Sequence, residues 1–342
     1  MPSGDQQFAA DLEAWGPQRT GPPPTLAAAE AYCRNLARRH YENFPLASWM
    51  LPHRLHQHFF NVYAYCRWAD DLGDEVGDRE RSSQLLAWWR DQLDACYGGS
   101  AVHPVFVALR TTIERFAIPR EPFADLISAF EQDQHVREYE TFAQLADYCR
   151  RSADPVGRIV LHLCECFNES NARLSDSICT GLQLANFWQD VARDYDIGRV
   201  YLPRQTRARF GYTDNDLCHR RTNDAFHAVM QFEVARARYY LLGGLPLVQI
   251  LPGRLQIDIE LFARGGLSIL DHLEQIGYRV WERRPIISKG EFARLFAGTL
   301  GRTAWRLIGR RRTSSPSSVT GHDERPGTTD SAGRPLPSRT ME

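Results

Sequence analysis

YAYCRWADDLGDE, residues 63–75, and NFWQDVARD, residues 186–194, decide how this chain is read. On a helix turning about 100° per residue, Tyr63, Arg67, Asp70, Asp71 and Asp74 fall within roughly one third of the circumference. The same turn aligns Asn186, Asp190 and Asp194 on one face over two turns. Each acidic face belongs to an otherwise apolar, aromatic-rich helix. Like charges one turn apart cost roughly a few tenths of a kcal/mol even when solvated. Facing a cavity they cost far more, unless a cation sits between them. Mg²⁺ meets that need, because it takes carboxylate oxygens, keeps several waters and completes its shell with phosphate oxygens. Asp70, Asp71, Asp74, Asn186, Asp190 and Asp194 are therefore the candidate metal ligands. Arg67 and Arg193, one within each cluster, suit direct bonds to phosphate oxygens.

Three other readings of these clusters fare worse on the sequence. An Asp-x-x-x-Asp spacing arises by chance on solvated helix faces, but two such clusters in apolar helices about 120 residues apart make chance a poor explanation. A di-iron helical bundle needs paired Glu-x-x-His motifs, and there are none. Zinc lacks ligand spacing, since His56 and His58 are two residues apart and cannot converge on a helix.

Outward from the clusters, residues 26–308 carry apolar residues at three- and four-residue spacings, as in Leu85, Leu86, Trp88, Trp89 and Leu93. No run alternates with period two and no fixed repeat is evident. The economical fold is all-α, a single domain of roughly eight to ten helices. Breaks are expected at 43–45, Gly98-Gly99, Ile118-Pro119, Gly198, Gly243-Gly244, Pro252-Gly253 and Pro285. Residues 1–25 and 309–342 are polar and rich in Pro and Gly, and both read as disordered tails.

Composition narrows the function classes. The chain has 342 residues, 43% of them hydrophobic, so there is material for a large core. Its 41 basic residues against 42 acidic ones leave a net charge of −1, which gives no global field for nucleic acid or an anionic membrane. Lys289 is the only lysine, so anions must be met locally and by arginine. None of the eight cysteines forms a Cys-x-x-Cys pair, and they read as reduced packing residues of a cytoplasmic protein. No secretory signal is read at the N-terminus. The apolar stretch 241–251 is too short to span a bilayer. It and the Arg310–Arg312 run are candidates for peripheral contact with the inner face of a membrane, against a buried helix end and a solvated charge run, respectively.

With these motifs in order, the chain resembles the squalene/phytoene synthase family of head-to-head isoprenoid synthases over residues 28–300. HYENF at 40–44 stands where the family has His-Ser-x-Ser-Phe, and Arg67 to Asp74 matches its first aspartate motif. YCRRSADPVG at 148–157 stands for Tyr-Cys-x-x-Val-Ala-Gly-x-Val-Gly. LQLAN at 182–186 through Asp194, followed by GRVYLP at 198–203, matches the second motif and its lid. The resemblance implies a helical terpenoid synthase fold with a central cavity. It also implies catalytic roles for Tyr148, Asp70, Asp74, Asp190 and Asp194, and substrate contacts from His40, Asn43, Phe44, Tyr63, Arg67, Phe187, Gln189 and Arg283.

Three departures bear on the reaction. Tyr41 and Asn43 replace the serines, Asp154-Pro155 replaces a Gly-containing turn, and Gln189 replaces an arginine. The combination looks most like the bacterial hopanoid-pathway branch that converts presqualene diphosphate and water to hydroxysqualene. Mg²⁺ is the cofactor expected. NADPH is not, and no Gly-x-Gly-x-x-Gly segment occurs. The partners implied are presqualene or farnesyl diphosphate and a sister presqualene diphosphate synthase, with no nucleic acid. A full squalene or phytoene synthase condensing two prenyl diphosphates is the alternative, and a catalytically silent helical partner the second.

Overall fold

The computed structural model describes residues 4–39, 52–253 and 255–313, with side chains described for 7–39, 52–253 and 255–303. Every regular element among them is an α-helix, and the sole β feature is an isolated bridge between Glu138 and Val200. In chain order the helices are α1 Gly4–Trp15, α2 Leu26–Arg39, α3 His53–Asp74, α4 Arg79–Tyr97, α5 Pro104–Phe116, α6 Glu121–Asp133, α7 Phe142–Ser152, α8 Asp154–Leu163, α9 Glu169–Asp196, α10 Arg204–Arg209, α11 Asp214–Cys218, α12 Asp224–Gly244, α13 Leu247–Ile250, α14 Leu255–Gln275 and α15 Lys289–Thr313. The sequence counted eight to ten. The excess comes from short helices such as α10, α11 and α13, which are capped at Pro203, Thr213 and Pro246 and are too brief to show periodicity.

Local signals explain most boundaries. Asp78 accepts from the Arg81 amide to start α4, and Thr141 with Gln144 makes a reciprocal capping box at α7. Gly198, at φ 76°, turns the chain off the end of α9 in a conformation that a side chain would strain. Gly243-Gly244 ends α12 as expected, with both glycines still inside the helix. A Cβ on Gly244 would stand 2.4 Å from Cγ1 of Ile178 and 2.6 Å from the Leu174 carbonyl oxygen, so the glycine lets α12 lie against α9.

The N-terminal tail expected over 1–25 is also corrected, because 4–15 form α1. Phe8 is buried edge-on against Trp68, with ring centroids 5.5 Å apart. Tyr32 donates to Asp11, and the Arg19 guanidinium lies 4.1 Å over the Trp15 ring. Polar composition hid a helix anchored by Phe8, with Leu12 and Trp15 packed beside it. At the other end, the boundary expected at 308 falls inside α15. Residues 304–342 cluster as a unit separate from 1–303, and in that unit only the helical backbone to Thr313 is described.

Two apolar clusters hold α3 and α9. Trp68 on α3 stacks on Trp89 of α4, 5.3 Å apart and 10° from parallel, and Tyr65 donates its hydroxyl to the Phe123 carbonyl of α6. Trp188 of α9, wholly buried, donates to the Glu233 carbonyl of α12. That matches its helical-wheel position about 160° from Asp190. With Trp68 and Trp188 buried, the acidic face of each helix points away from its core.

Candidate active site

The acidic faces form at the C-terminal ends of α3 and α9, and arginines occupy both. On α3, Arg67 bonds Asp70 at 3.0 Å and also pairs with Asp71. Asp71 is 4% exposed, and burial pushes its carboxyl up to about 7 against the pull of Arg67. Burial raises Asp70 too, again opposed by Arg67. Tyr63, one turn before Arg67, is half-buried; burial raises its phenol, and the Arg67 charge pulls it back.

On α9, Asp190 receives a two-pronged bond from Arg284, at 2.5 and 3.0 Å. Asp194 has no ion pair or side-chain hydrogen bond among the described residues. Burial and the Asp190 charge beside it push it up to about 7, against the more distant pull of Arg199. Asn186 is exposed on the same face.

Arg199 joins the two ends. Gly198 reverses the chain after α9, the Val200 amide bonds the Arg137 carbonyl, and the lid is thereby fastened beside 137–139. Arg199 then donates to Asp74 at 2.9 Å. Asp133 lies within its field at the end of α6 and accepts from the Tyr148 hydroxyl at 2.9 Å. Burial raises Asp133 to about 6, and Arg199 and that hydrogen bond hold it from going higher. Burial, with the Asp133 charge, drives the Tyr148 phenol well above its ordinary value. An aromatic stack backs this corner: Phe187 lies 3.8 Å from Tyr201 and 11° from parallel, and Tyr148 lies 6.0 Å from Tyr201.

Deeper along the same helices, Phe59 of α3 and Ser175, Ile178, Cys179 and Leu182 of α9 line an apolar cavity. Val156, Gly157 and Val160 of α8 and the start of α14 close it. Gly157 is needed there, since a Cβ would stand 2.3 Å from Oγ of Ser175.

The candidates thus divide. Tyr63, Arg67, Asp70, Asp71 and Asp74 share one end, Asn186, Asp190 and Asp194 the other, and Tyr148 with Phe187 the aromatic corner. His40, Asn43 and Phe44 lie outside the described residues. Two basic candidates stay largely exposed. Arg283 is exposed, with no side-chain partner among the described residues, and its neighbour Arg284 meets Asp190. Arg193, which looked suited to phosphate, is 68% exposed and 3.9 Å from Asp190. Gln189 is buried and donates to the Pro285 carbonyl, strapping the Arg284 segment to α9. Asp133, Arg199, Arg284 and Tyr201 were missed. Arg199 and Tyr201 lie inside the lid motif, whereas Asp133 sits in no motif. All eight cysteines are free thiols.

Mg²⁺ fits the donor chemistry. The face groups are oxygen donors only, and Asp194, half-buried, stands beside a like charge with no cationic side chain bonded to it among the described residues. Among the described residues no three carboxylate, imidazole or thiol groups converge on one point. An ion held by one or two carboxylates and otherwise by water and phosphate does not need three. No helix among the described residues is long and apolar enough to cross a membrane. In the 241–251 stretch, Leu241, Leu247, Val248 and Leu251 are buried, while Leu242 and Ile250 are exposed.

The family model described as squalene/phytoene synthase matches residues 37–291. A hydroxysqualene synthase of Sinorhizobium fredii is 32% identical over 255 residues, covering 72% of this chain and 85% of its own. A phytoene synthase of Arthrospira platensis is 29% identical over 280 residues, covering 78% and 90%. Among solved structures, squalene synthase HpnC from Alicyclobacillus acidocaldarius is 42% identical with a TM-score of 0.71, over 74% of this chain and 95% of that one. A dehydrosqualene synthase at 23% identity shares the fold with a TM-score of 0.72, over 82% and 98%.

Proposed function

Because the chain belongs to the squalene/phytoene synthase family, we propose that it is a hydroxysqualene synthase, converting presqualene diphosphate and water to hydroxysqualene and diphosphate. The observation that carries this reading is Gln189. Its side chain is buried and committed to the Pro285 carbonyl, in place of the arginine the family pattern has there. The position therefore offers no cation to a second diphosphate, which a condensation of two prenyl diphosphates would bring. The hydroxysqualene synthase of Sinorhizobium fredii adds support, and the phytoene synthase at comparable identity makes condensation the competing outcome.

The chain's own residues account for the steps. Asp70, Asp71, Asp74, Asn186, Asp190 and Asp194 would hold Mg²⁺, which supplies charge neutralisation to the departing diphosphate. Arg67, Arg199 and Arg284 now rest on carboxylates and are the guanidinium groups available to phosphate oxygens. Diphosphate loss leaves a cyclopropylcarbinyl cation that bulk water would quench indiscriminately. The apolar cavity excludes that water. The ring faces of Phe187, Tyr201 and Tyr148 attract the cation.

One water then forms the C–O bond, and its proton must leave. Tyr148 is too weak an acid to be a base by itself, but its hydroxyl already donates to Asp133, so it relays a proton from water to the carboxylate. The pull of burial on Asp133, to about 6, leaves that carboxylate able to accept near neutrality.

The test is to supply presqualene diphosphate alone and farnesyl diphosphate alone, each with Mg²⁺, with and without NADPH, and to identify products by mass. Hydroxysqualene from the first without NADPH is expected. Efficient formation of presqualene diphosphate from farnesyl diphosphate would overturn the reading.

A further inference from the structure

Buried charge is matched unevenly in this fold. Asp258, on the first turn of α14 in the wall of the apolar cavity, is 4% exposed, and neither of its carboxylate oxygens has a hydrogen-bond partner among the described residues. Arg207 of α10 is the opposite case. It is 1% exposed, yet its guanidinium pairs with Glu138, donates from Nη1 to Asp214 at 2.8 Å and donates from Nε to the Leu202 carbonyl at 3.3 Å. Arg204, one turn earlier, bonds the same two carboxylates, Glu138 at 2.6 Å and Asp214 at 3.2 Å. Two guanidinium groups and two carboxylates thus close a square in which every side is an ion pair.

The square joins the lid to the segment it lies against. Glu138 adjoins Tyr139 and Leu202 adjoins Tyr201, and those two rings stack, 5.9 Å apart and 21° from parallel. Tyr201 stacks in turn on Phe187. The backbone is tied on either side, by the Val200 amide to the Arg137 carbonyl and by the Arg204 and Gln205 amides to the carbonyls of Tyr139 and Glu140. Within that bracket, Arg207 reaches from the carboxylate beside one ring to the carbonyl beside the other. Buried ion pairs of this kind are weak contributors to stability, because desolvation offsets their attraction and apolar replacements of similar size are often as stable. What an apolar pair lacks is direction. The planar fork of an arginine fixes its partners in angle as well as in distance.

We propose that Arg207, through Glu138 and Leu202, is a positioning residue that holds the Tyr201 ring in register with Tyr139 and Phe187, and thereby confines water attack on the carbocation to one carbon. This rests on the hydroxysqualene reading above. The cation left by diphosphate loss spreads its charge over more than one carbon, and the carbon that is hydrated is the one that water can reach. Tyr201 belongs to the aromatic wall that shields the rest. A rotation of that ring is enough to admit water at a second carbon.

The test supplies presqualene diphosphate and Mg²⁺ to the full chain without NADPH, follows diphosphate release, and separates the alcohol products by chromatography and mass. The wild type is expected to give hydroxysqualene as its main alcohol. Arg207→Gln is expected to raise the share of isomeric alcohols by about tenfold, the effect of one lost charge-assisted bond, with diphosphate release little changed. This variant leaves Glu138 and Asp214 paired with Arg204, so it orphans neither carboxylate. Glu138→Gln combined with Arg207→Gln is expected to give no larger share than Arg207→Gln alone, because the two side chains act as one unit. Arg207→Met combined with Glu138→Leu, which keeps the packing volume and removes the pair, is expected to match the wild type in urea unfolding and to be as unselective as Arg207→Gln.

Two results would overturn the proposal. A fall in diphosphate release with unchanged alcohol shares in Arg207→Gln would mean a purely structural role. Additive shares in the combined glutamine variant would mean that Arg207 and Glu138 act apart. Should Arg207→Gln not fold, the Arg207→Met, Glu138→Leu variant decides on the same readout. A wild type that makes no hydroxysqualene would remove the hydroxysqualene reading and this one with it, whereas hydroxysqualene from the wild type with unchanged shares in every folded variant would remove only this one.

Discussion

Replacing Asp258 by asparagine should stabilise the protein increasingly as the pH rises, and the size follows from the site. The carboxyl has an ordinary value of 3.8 and is raised to about 7 in the folded chain, with burial as its sole cause. At about 1.4 kcal/mol for each tenfold change in proton affinity, linkage gives a penalty of about 4 kcal/mol for the wild type at pH 8. The sign follows from proton counting. Between pH 4 and 7 the folded chain binds the proton more tightly than the unfolded one, so stability carried by the protonated group is lost as pH rises through that window. Below pH 4 both states are protonated and the penalty vanishes.

The amide introduced by Asp258→Asn is itself unmatched, but that cost does not vary with pH and cancels when one pH is compared with another. The assay is urea unfolding of wild type and Asp258→Asn followed by far-UV circular dichroism from pH 5 to 8.5. The stability difference should shift by about 2–3 kcal/mol in favour of the variant across that range. A difference that stays flat from pH 5 to 8.5 would refute the claim that this carboxyl is buried without a partner.

Three further outcomes are expected. Asp70→Ala and Asp190→Ala should each abolish turnover while circular dichroism stays that of the wild type; undiminished turnover with added Mg²⁺ would remove the metal role of those carboxylates. Arg284→Gln should raise KM for the diphosphate substrate by about tenfold, as expected for a lost charge-assisted bond, while Arg283→Gln changes it little; steady-state kinetics of the pair decides which arginine serves the site. Gly244→Ala should lower stability by about 1–3 kcal/mol through overpacking of α12 on α9; a denaturation midpoint equal to that of the wild type would show that the helices part at little cost.

Much of the site was legible in one dimension because its groups are local. Asp70 with Asp74 and Asp190 with Asp194 each sit a single turn apart, so helical period alone puts them on one face. Tyr148 and Phe187 were legible through their motifs. Asp133 was not, since its tie to Tyr148 crosses from the end of α6 to α7 and leaves no spacing to read. That Arg284 meets Asp190 was not legible either, because the Gln189 bond to Pro285, spanning 96 positions, helps decide which of two adjacent arginines faces Asp190. Helix α1 was read as a tail because its burial depends on Trp68, which no local pattern near Phe8 reveals.

What the sequence determined by itself was the all-α class and the two acidic helix faces, which 3.6-residue periodicity dictates whatever the surroundings. The tertiary structure decided which charges meet and which are left alone. It brought Arg199 across 125 positions to Asp74, stacked Phe187 on Tyr201, and left Asp258, on the first turn of α14, without a hydrogen-bond partner among the described residues in the wall of an apolar cavity. Hydrophobic packing of α9, α12 and α14 sets those distances, and a carboxyl's partners and proton affinity depend on distance and burial, quantities that no spacing along a chain contains.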